Sequence, residues 1–276
     1  MNGAPRASDW SGVALPLAVT LAIQTLVAFA VYSAPVMAPV AGPALGVSPA
    51  AVGYYISVTY LGSMIGSAVA GGWVSRFGPI RVSQAALALC LAGLALAASA
   101  VPGLVMLGAF LVGLGYGPTT PASSVILVRA APPALFSLTF SIKQTGVPAG
   151  GVLAGALVPA MVLGLGWRWS AVAIGLACLA LAALIGVVRA RYDSELNPRA
   201  PLSLGSAIAP VALVLRTPAL RGMAVTSFVY GGVQITLVTY LVTFLTESFA
   251  LSLVIAGFVM AVSQVASVIG RIFWGV

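Results

Sequence analysis

The chain has 276 residues, of which 61% are hydrophobic and 6% charged, with no His. That composition excludes a water-soluble globule and predicts an all-α integral membrane protein. The formal charge of +8 gives no case for a nucleic-acid partner, because the basic residues stand singly between apolar runs, the pattern left when Lys and Arg are retained on the inner side of a membrane.

A hydrocarbon core of about 30 Å takes roughly 20 apolar residues per helix, and runs of that length follow one another here. Residues 1–14, which include Asp9, are short and polar and read as a cytoplasmic tail. The first span runs from Leu15 to about Val40, with Pro16 suited to a first helical turn and Thr20, Gln24 and Tyr32 as polar members. The uncharged stretch 41–47 reads as outside. Ser48-Pro49 is an N-cap followed by Pro at the first helical position, and it opens a second span that reaches about Val74. Within that span Gly62 and Gly66 offer a Gly-x-x-x-Gly face for close helix approach.

The segment Gly71 to Arg81 reads Gly-Gly-Trp-Val-Ser-Arg-Phe-Gly-Pro-Ile-Arg. It is short, so the spans on either side must be antiparallel neighbours. Arg76 and Arg81 mark it as cytoplasmic. Gly78 permits a tight turn with positive φ, and Pro79 fixes the exit direction. The third span is about Val82 to Ala100, and the fourth about Leu104 to Val128, with Gly113, Gly115, Gly117, Pro118 and Pro121 inside it and Arg129 and Pro132-Pro133 ending it. The fifth is about Phe136 to Leu163, where Pro148 predicts a kink. Trp167-Arg168-Trp169 reads as an outer interfacial belt, and the sixth span is about Ser170 to Val188.

From 189 to 221 the character changes. Arg189, Arg191, Asp193, Glu195, Arg199, Arg216 and Arg221 gather there with Pro198 and Pro201, as in a cytoplasmic linker. Its apolar part, 202–215, is too short to span, holds Pro210 and suits the membrane surface. The seventh span is about Gly222 to Leu245, with Tyr230 and Gln234 inside it; Glu247 falls outside, and the eighth starts near Ser252. The domain plan is therefore a tail at 1–14, a six-helix bundle at 15–188, a linker at 189–221 and the first two helices of a second bundle at 222–276, with both ends of the chain cytoplasmic.

The segment after the second span resembles the loop between helices 2 and 3 of major facilitator superfamily transporters, which reads Gly-x-x-x-Asp-Arg/Lys-x-Gly and then basic residues. Gly71, Arg76, Gly78 and Arg81 match it; Ser75 stands where the family usually has Asp. The Arg that the family often carries near the start of such a glycine-rich stretch in the fourth span is also absent, with Ala109 in its place. The resemblance implies the major facilitator fold, alternating access between two six-helix bundles, and a conformational role for Gly71, Ser75, Arg76, Gly78 and Arg81. The wording around Lys143 is similar to the cyanate-porter-like branch. Residues 53–72 laid over 257–276 match Gly53 with Gly257, Val58 with Val262, Ser63 with Ser267, Ile65 with Ile269, Gly66 with Gly270 and Gly71 with Gly275. The eighth span thus looks like the second repeated in a parallel half. Against the family's twelve helices, a truncated or incomplete sequence is expected.

No hydrolase, nucleotide or metal motif stands out. Gly113-x-Gly115-x-Gly117 lies inside an apolar span with no strand before it, so it reads as helix packing. Cys90 and Cys178 lie inside apolar runs and give no disulfide or ligand spacing. No enzyme activity, cofactor or metal is expected. The partners are the lipid bilayer of the inner (plasma) membrane, a small-molecule substrate and, left open, a coupling ion. Asp9, Asp193, Glu195 and Glu247 all fall in tails or loops, so no span carries a carboxylate, which favours an anionic or neutral substrate. Lys143, Gln144, Gln24, Tyr32, Tyr116, Tyr230 and Gln234 are the candidate substrate ligands, each equally suited to hydrogen bonds between helices. Lys143 is open to two readings: an anion ligand in the span, or an anchor snorkelling to the inner surface. A multidrug or metabolite exporter and a non-transporting fragment or sensor are the alternatives.

Overall fold

In a computed structural model, residues 10–200, 202 and 208–273 are described; residues 1–9 with Asp9, and also Pro201 and Gly275, lie outside the described residues. The described chain is built from helices: α1 (Ala14–Ala44), α2 (Val52–Phe77), α3 (Pro79–Ala98), α4 (Pro102–Ala130), α5 (Phe136–Gln144), α6 (Gly146–Ile185), α7 (Arg189–Tyr192), α8 (Ile208–Arg216), α9 (Pro218–Phe249) and α10 (Leu253–Phe273). Six helical segments among the described residues are long and apolar enough to cross a membrane. One of them, Pro133–Tyr192, has 60 residues; at 1.5 Å per residue that is about 90 Å of helix, far more than one crossing of a 30 Å core needs. Gly166, with φ 78° and ψ 158°, breaks it and lets the chain turn back. α2 is not among the six, because Ser, Thr, Tyr and Arg dilute its apolar run, yet its 26 residues are long enough for a crossing.

Local signals set the helix ends. Ser48 caps the 3-10 turn at Pro49–Ala51 that leads into α2, its hydroxyl accepting from the Ala50 N–H at 3.3 Å. The connection between α2 and α3 is shorter than the sequence suggests. α2 continues to Phe77 and α3 starts at Pro79, so Gly78 alone makes the turn, at φ 92°. Proline at the first position of α3 costs no hydrogen bond, because that N–H has no intrahelical acceptor. The expected kink in the fifth span also appears. Thr145 separates α5 from α6, three residues before Pro148, whose missing N–H leaves the Gln144 carbonyl without its helical donor. Glu247 lies in the last turn of α9, exposed, rather than beyond it.

Close packing of small residues joins the helices. α2 lies along α4, and α3 lies on α4's other side. A Cβ added at Gly113 of α4 would collide with the Thr59 carbonyl of α2, and one at Gly66 of α2 would sit 2.7 Å from the Leu114 carbonyl. α1 packs on α6, where a Cβ at Gly150 would sit 2.6 Å from the Thr25 carbonyl. α10 packs on α6 through Gly257 and Gly155, each filling space that a Cβ on the other would need. Gly53, matched to Gly257 by the repeat, lies under the Tyr240 hydroxyl of α9. Both matched glycines therefore sit where the helices before the linker meet those after it.

These contacts predict a sign difference. Gly113→Ala should destabilise the protein by about 1–3 kcal/mol through overpacking against backbone that cannot yield. Gly231→Ala has open space around it and should be neutral or stabilising by up to about 1 kcal/mol through helix propensity. Thermal unfolding in detergent reads both; equal effects would rule out α2–α4 backbone contact as the cause.

Candidate functional site

A recess of about 770 Å³ lies between α5, α9 and α10. Ser141 and Gln144 reach it from α5, Tyr230 from α9, and Ser267 and Arg271 from α10, with Phe136 and Phe140 as apolar wall. Serines, an amide and a phenol can all donate hydrogen bonds. Arg271 is the one charged residue among those that line it. Its Nε is buried without a hydrogen-bond partner, and no ion pair among the described residues involves it. Arg271 also lies within electrostatic reach of the Tyr32 and Tyr116 hydroxyls. Those two come from α1 and α4. Tyr60 of α2 joins them, with its ring edge-on to Tyr116 at 6.2 Å between centroids.

A second polar group lies behind that wall. Lys143 is only 1% exposed and does not line the recess. Its Nζ donates to Thr120 Oγ1 at 3.3 Å, and the Thr120 hydroxyl in turn donates to Gln24 Oε1 at 3.3 Å. Thr119 Oγ1 reaches the same amide oxygen at 3.5 Å. The network ties α1, α4 and α5 together, and Gln24 Nε2 stays buried without a partner. Thr120 is itself exposed, so the ammonium is one hydrogen bond from open space.

Of the residues predicted from sequence, Gln144 and Tyr230 share the recess, Tyr32 and Tyr116 stand together within reach of Arg271, and Gln24 and Lys143 share the inner network. Gln234 is half-buried in α9 and is not among the recess-lining residues. Arg271, Tyr60 and Thr120 were not anticipated. Tyr60 is one of three phenols in its span, with Tyr54 and Tyr55, and nothing in sequence separates it from them. Arg271 reads in sequence as one more basic residue flanking a span.

The loop residues meet an unexpected partner. Asp193, after α7, accepts the N–H of Ile80 at 2.8 Å and of Arg81 at 3.1 Å, which caps the start of α3. Burial pushes its carboxyl above the usual aspartate range; those two N–H groups and the Arg189 guanidinium, 3.7 Å away, offset part of that. Gly78 is required twice over, by its positive φ and because a Cβ would run into the Asp193 carboxylate. Ser75 lies in the last turn of α2, and its carbonyl accepts from the Asn197 N–H at 2.8 Å. Glu195 pairs with Arg129 at the end of α4 at 3.0 Å, an exposed contact. Residues 193–197 thus bind the ends of α2, α3 and α4. Arg76 and Arg81 are exposed beside them, and Gly71 has nothing near its missing Cβ.

The family model described as Major Facilitator Superfamily matches residues 20–276. The chain belongs to the major facilitator superfamily. The match runs through every helix that contributes to the recess. A Bacillus subtilis (strain 168) protein described as "Putative metabolite transport protein YwtG" is 29% identical over 146 residues, covering 52% of this chain and 31% of that protein. The aligned part is thus about a third of that relative's length. Membership in the superfamily points to a transport role rather than to catalysis.

The inner network gives a test by double substitution. Thr120→Val should leave the Lys143 ammonium without its acceptor and cost about 1–3 kcal/mol, whereas Thr120→Val with Lys143→Met removes both partners and should recover most of that loss. Additive losses in thermal unfolding would show that the two side chains do not interact.

Proposed function

We propose that this major facilitator protein is a secondary transporter for a small anion, working by alternating access between two helical bundles. The observation that carries the substrate class is the recess: its charged lining group is Arg271, which makes no ion pair among the described residues and shares the recess with hydroxyl and amide donors. A guanidinium presents donors in a fixed fork that fits a carboxylate or phosphate on two bonds. A cation would meet that charge with no acid to receive it, since among the described helices the long spans carry only Glu247, exposed at the end of α9. Ionisable groups kept inside membrane spans mark substrate pathways and pair with one another or with the substrate. Lys143 adds a second positive charge behind Thr120, where it raises the local potential without touching solute in this conformation.

The layout supports eight crossings: α1 to α4, two from the segment broken at Gly166, then α9 and α10. The recess is framed by the start of α5 and the end of α10, the side of the Gly78 turn, with its Arg76 and Arg81. That side is assigned to the cytoplasm of an inner-membrane protein by its arginines. Single-cysteine labelling in a background lacking Cys90 and Cys178 checks this: an impermeant reagent should reach Ala44→Cys from outside and not Phe77→Cys, and the opposite pattern would invert the assignment.

Substrate class is tested with purified protein in liposomes. Oxalate, acetate, succinate and phosphate are offered as radiolabelled solutes. At least one should be taken up and should protect against thermal unfolding. Arg271→Gln should weaken that anion's binding by about 2–5 kcal/mol, thirtyfold or more, as expected when one partner of a desolvated charge pair is truncated. Arg271→Lys should keep part of the affinity, because charge remains while the fork is lost. Uptake of organic cations, unaffected by Arg271→Gln, would replace the anion reading with that of a drug exporter. No flux of any solute would favour a sensor.

A further inference from the structure

A second charged recess, of about 430 Å³, lies away from the α5–α9–α10 cavity, where α2, α3 and α7 meet. Arg76 enters it from α2, Arg81 from α3 and Arg189 from α7, and Trp73, Phe77 and Leu196 form apolar walls. Arg76 and Arg81 make no ion pair among the described residues, and Arg76 lies over the Phe77 ring at 5.7 Å. Arg189 faces Asp193 at 3.7 Å, but both Asp193 oxygens are already committed to the N–H groups of Ile80 and Arg81. Three arginines therefore line one recess, and Asp193 is the carboxylate that pairs with one of them among the described residues.

The walls identify the occupant. Trp73 and Phe77 remain 41% and 44% exposed at the end of a membrane-length helix, edge-on to each other at 6.2 Å. Aromatic side chains in that place belong at the headgroup level of a bilayer. A soluble anion would use the arginines and leave these rings idle. A molecule with an anionic phosphate joined to glycerol and acyl chains would use both. Basic pockets at the cytoplasmic ends of membrane helices recognise such headgroups, and arginine forks suit phosphate oxygens. We propose that this recess binds the phosphate of an anionic glycerophospholipid from the adjoining leaflet. A lipid held there bridges α2 and α3 to α7, and so reinforces the tie between α3 and α7 that Asp193 makes.

The test uses the whole protein in detergent with phosphatidylglycerol or phosphatidylcholine added. Native mass spectrometry should show preferential retention of phosphatidylglycerol, and thermal unfolding should shift upward with it and not with phosphatidylcholine. Each Arg→Gln change at 76, 81 or 189 should weaken the preference about fivefold, and the three together about a hundredfold. Arg271→Gln should retain it in full, which separates this site from the anion cavity. Glycerol 3-phosphate should not displace the lipid; displacement at equal concentration would make the recess a site for soluble phosphates and overturn the proposal. Equal retention of the two lipids would overturn it as well. Should the triple variant fail to fold, the wild type decides: raising salt to 1 M shortens the screening length to about 3 Å and should remove the phosphatidylglycerol-specific shift. A shift that persists at 1 M salt would mean that the arginines do not hold the lipid.

Discussion

Between two helices in lipid there is little hydrophobic gain from contact, because an acyl chain is as apolar as a leucine. What holds such helices together is close packing, and close packing needs residues without bulk. The fourth helix is the clearest case. Its glycines meet α2 on one face and α3 on another, with backbone carbonyls from Thr59 and Ala86 approaching where side chains would otherwise stand. Because α4 is thus pressed between two neighbours, its polar residues Tyr116, Thr119 and Thr120 are left on the side that looks toward α1 and α5. The position of the chemistry follows from which side of α4 the glycines occupy.

The same economy explains how ionisable groups are handled. At the helix ends, two carboxylates have partners: Asp193 on the start of α3 and Glu195 on Arg129. The contacts made by residues 193–197 differ in weight. The Arg129–Glu195 pair is solvent-exposed and stabilises by about 0–1 kcal/mol at most. The Asp193 contact is buried and satisfies two backbone donors that α3 itself cannot, so it is the one that fixes the connection to the bundle. In the interior, by contrast, Lys143 and Arg271 make no ion pair among the described residues. Lys143 settles for a hydroxyl, and Arg271 keeps a buried nitrogen with no acceptor.

Much of the fold was legible in sequence because its signals are local. Apolar runs, Ser48-Pro49, Gly78-Pro79 and the Gly-x-x-x-Gly pairs each act within a turn or two of where they stand. Pro148 marked a break for the same reason. The turn near Gly166 was also legible, between a fifth span ending at Leu163 and a sixth starting at Ser170, though nothing in sequence singled out Gly166 as the residue that breaks the helix. The site was half legible. Phenols and amides in apolar spans draw notice, so Gln144, Tyr230, Tyr32 and Tyr116 could be named. Arg271 could not, because a basic residue near the end of a span reads as an anchor; only the packing of α10 against α6 turns it inward. Asp193 was hidden differently. Its partners are backbone N–H groups more than a hundred residues earlier, and backbone donors leave no trace in residue identity.

Asp193 also bears on the departure at Ser75. The resembling family places an acid at that position, at the end of α2, where it can face a helix start. Here the acid comes from the segment after α7 and sits on the start of α3, while Ser75 contributes only its carbonyl to Asn197. The charge has not been lost from this region so much as supplied from a different stretch of chain. An acid that is part of α2 travels with α2. One that belongs to residues 193–197 ties the chain after the sixth span to the turn between the second and third. A favourable contact with a helix N-terminus contributes about 0.3–1 kcal/mol when exposed and up to about 2 when partly buried. Spent inside one group of helices, that energy stiffens it. Spent between two groups, it would bias one conformation over another. In this chain the contact joins the start of α3 to the segment after α7, and it stiffens that connection.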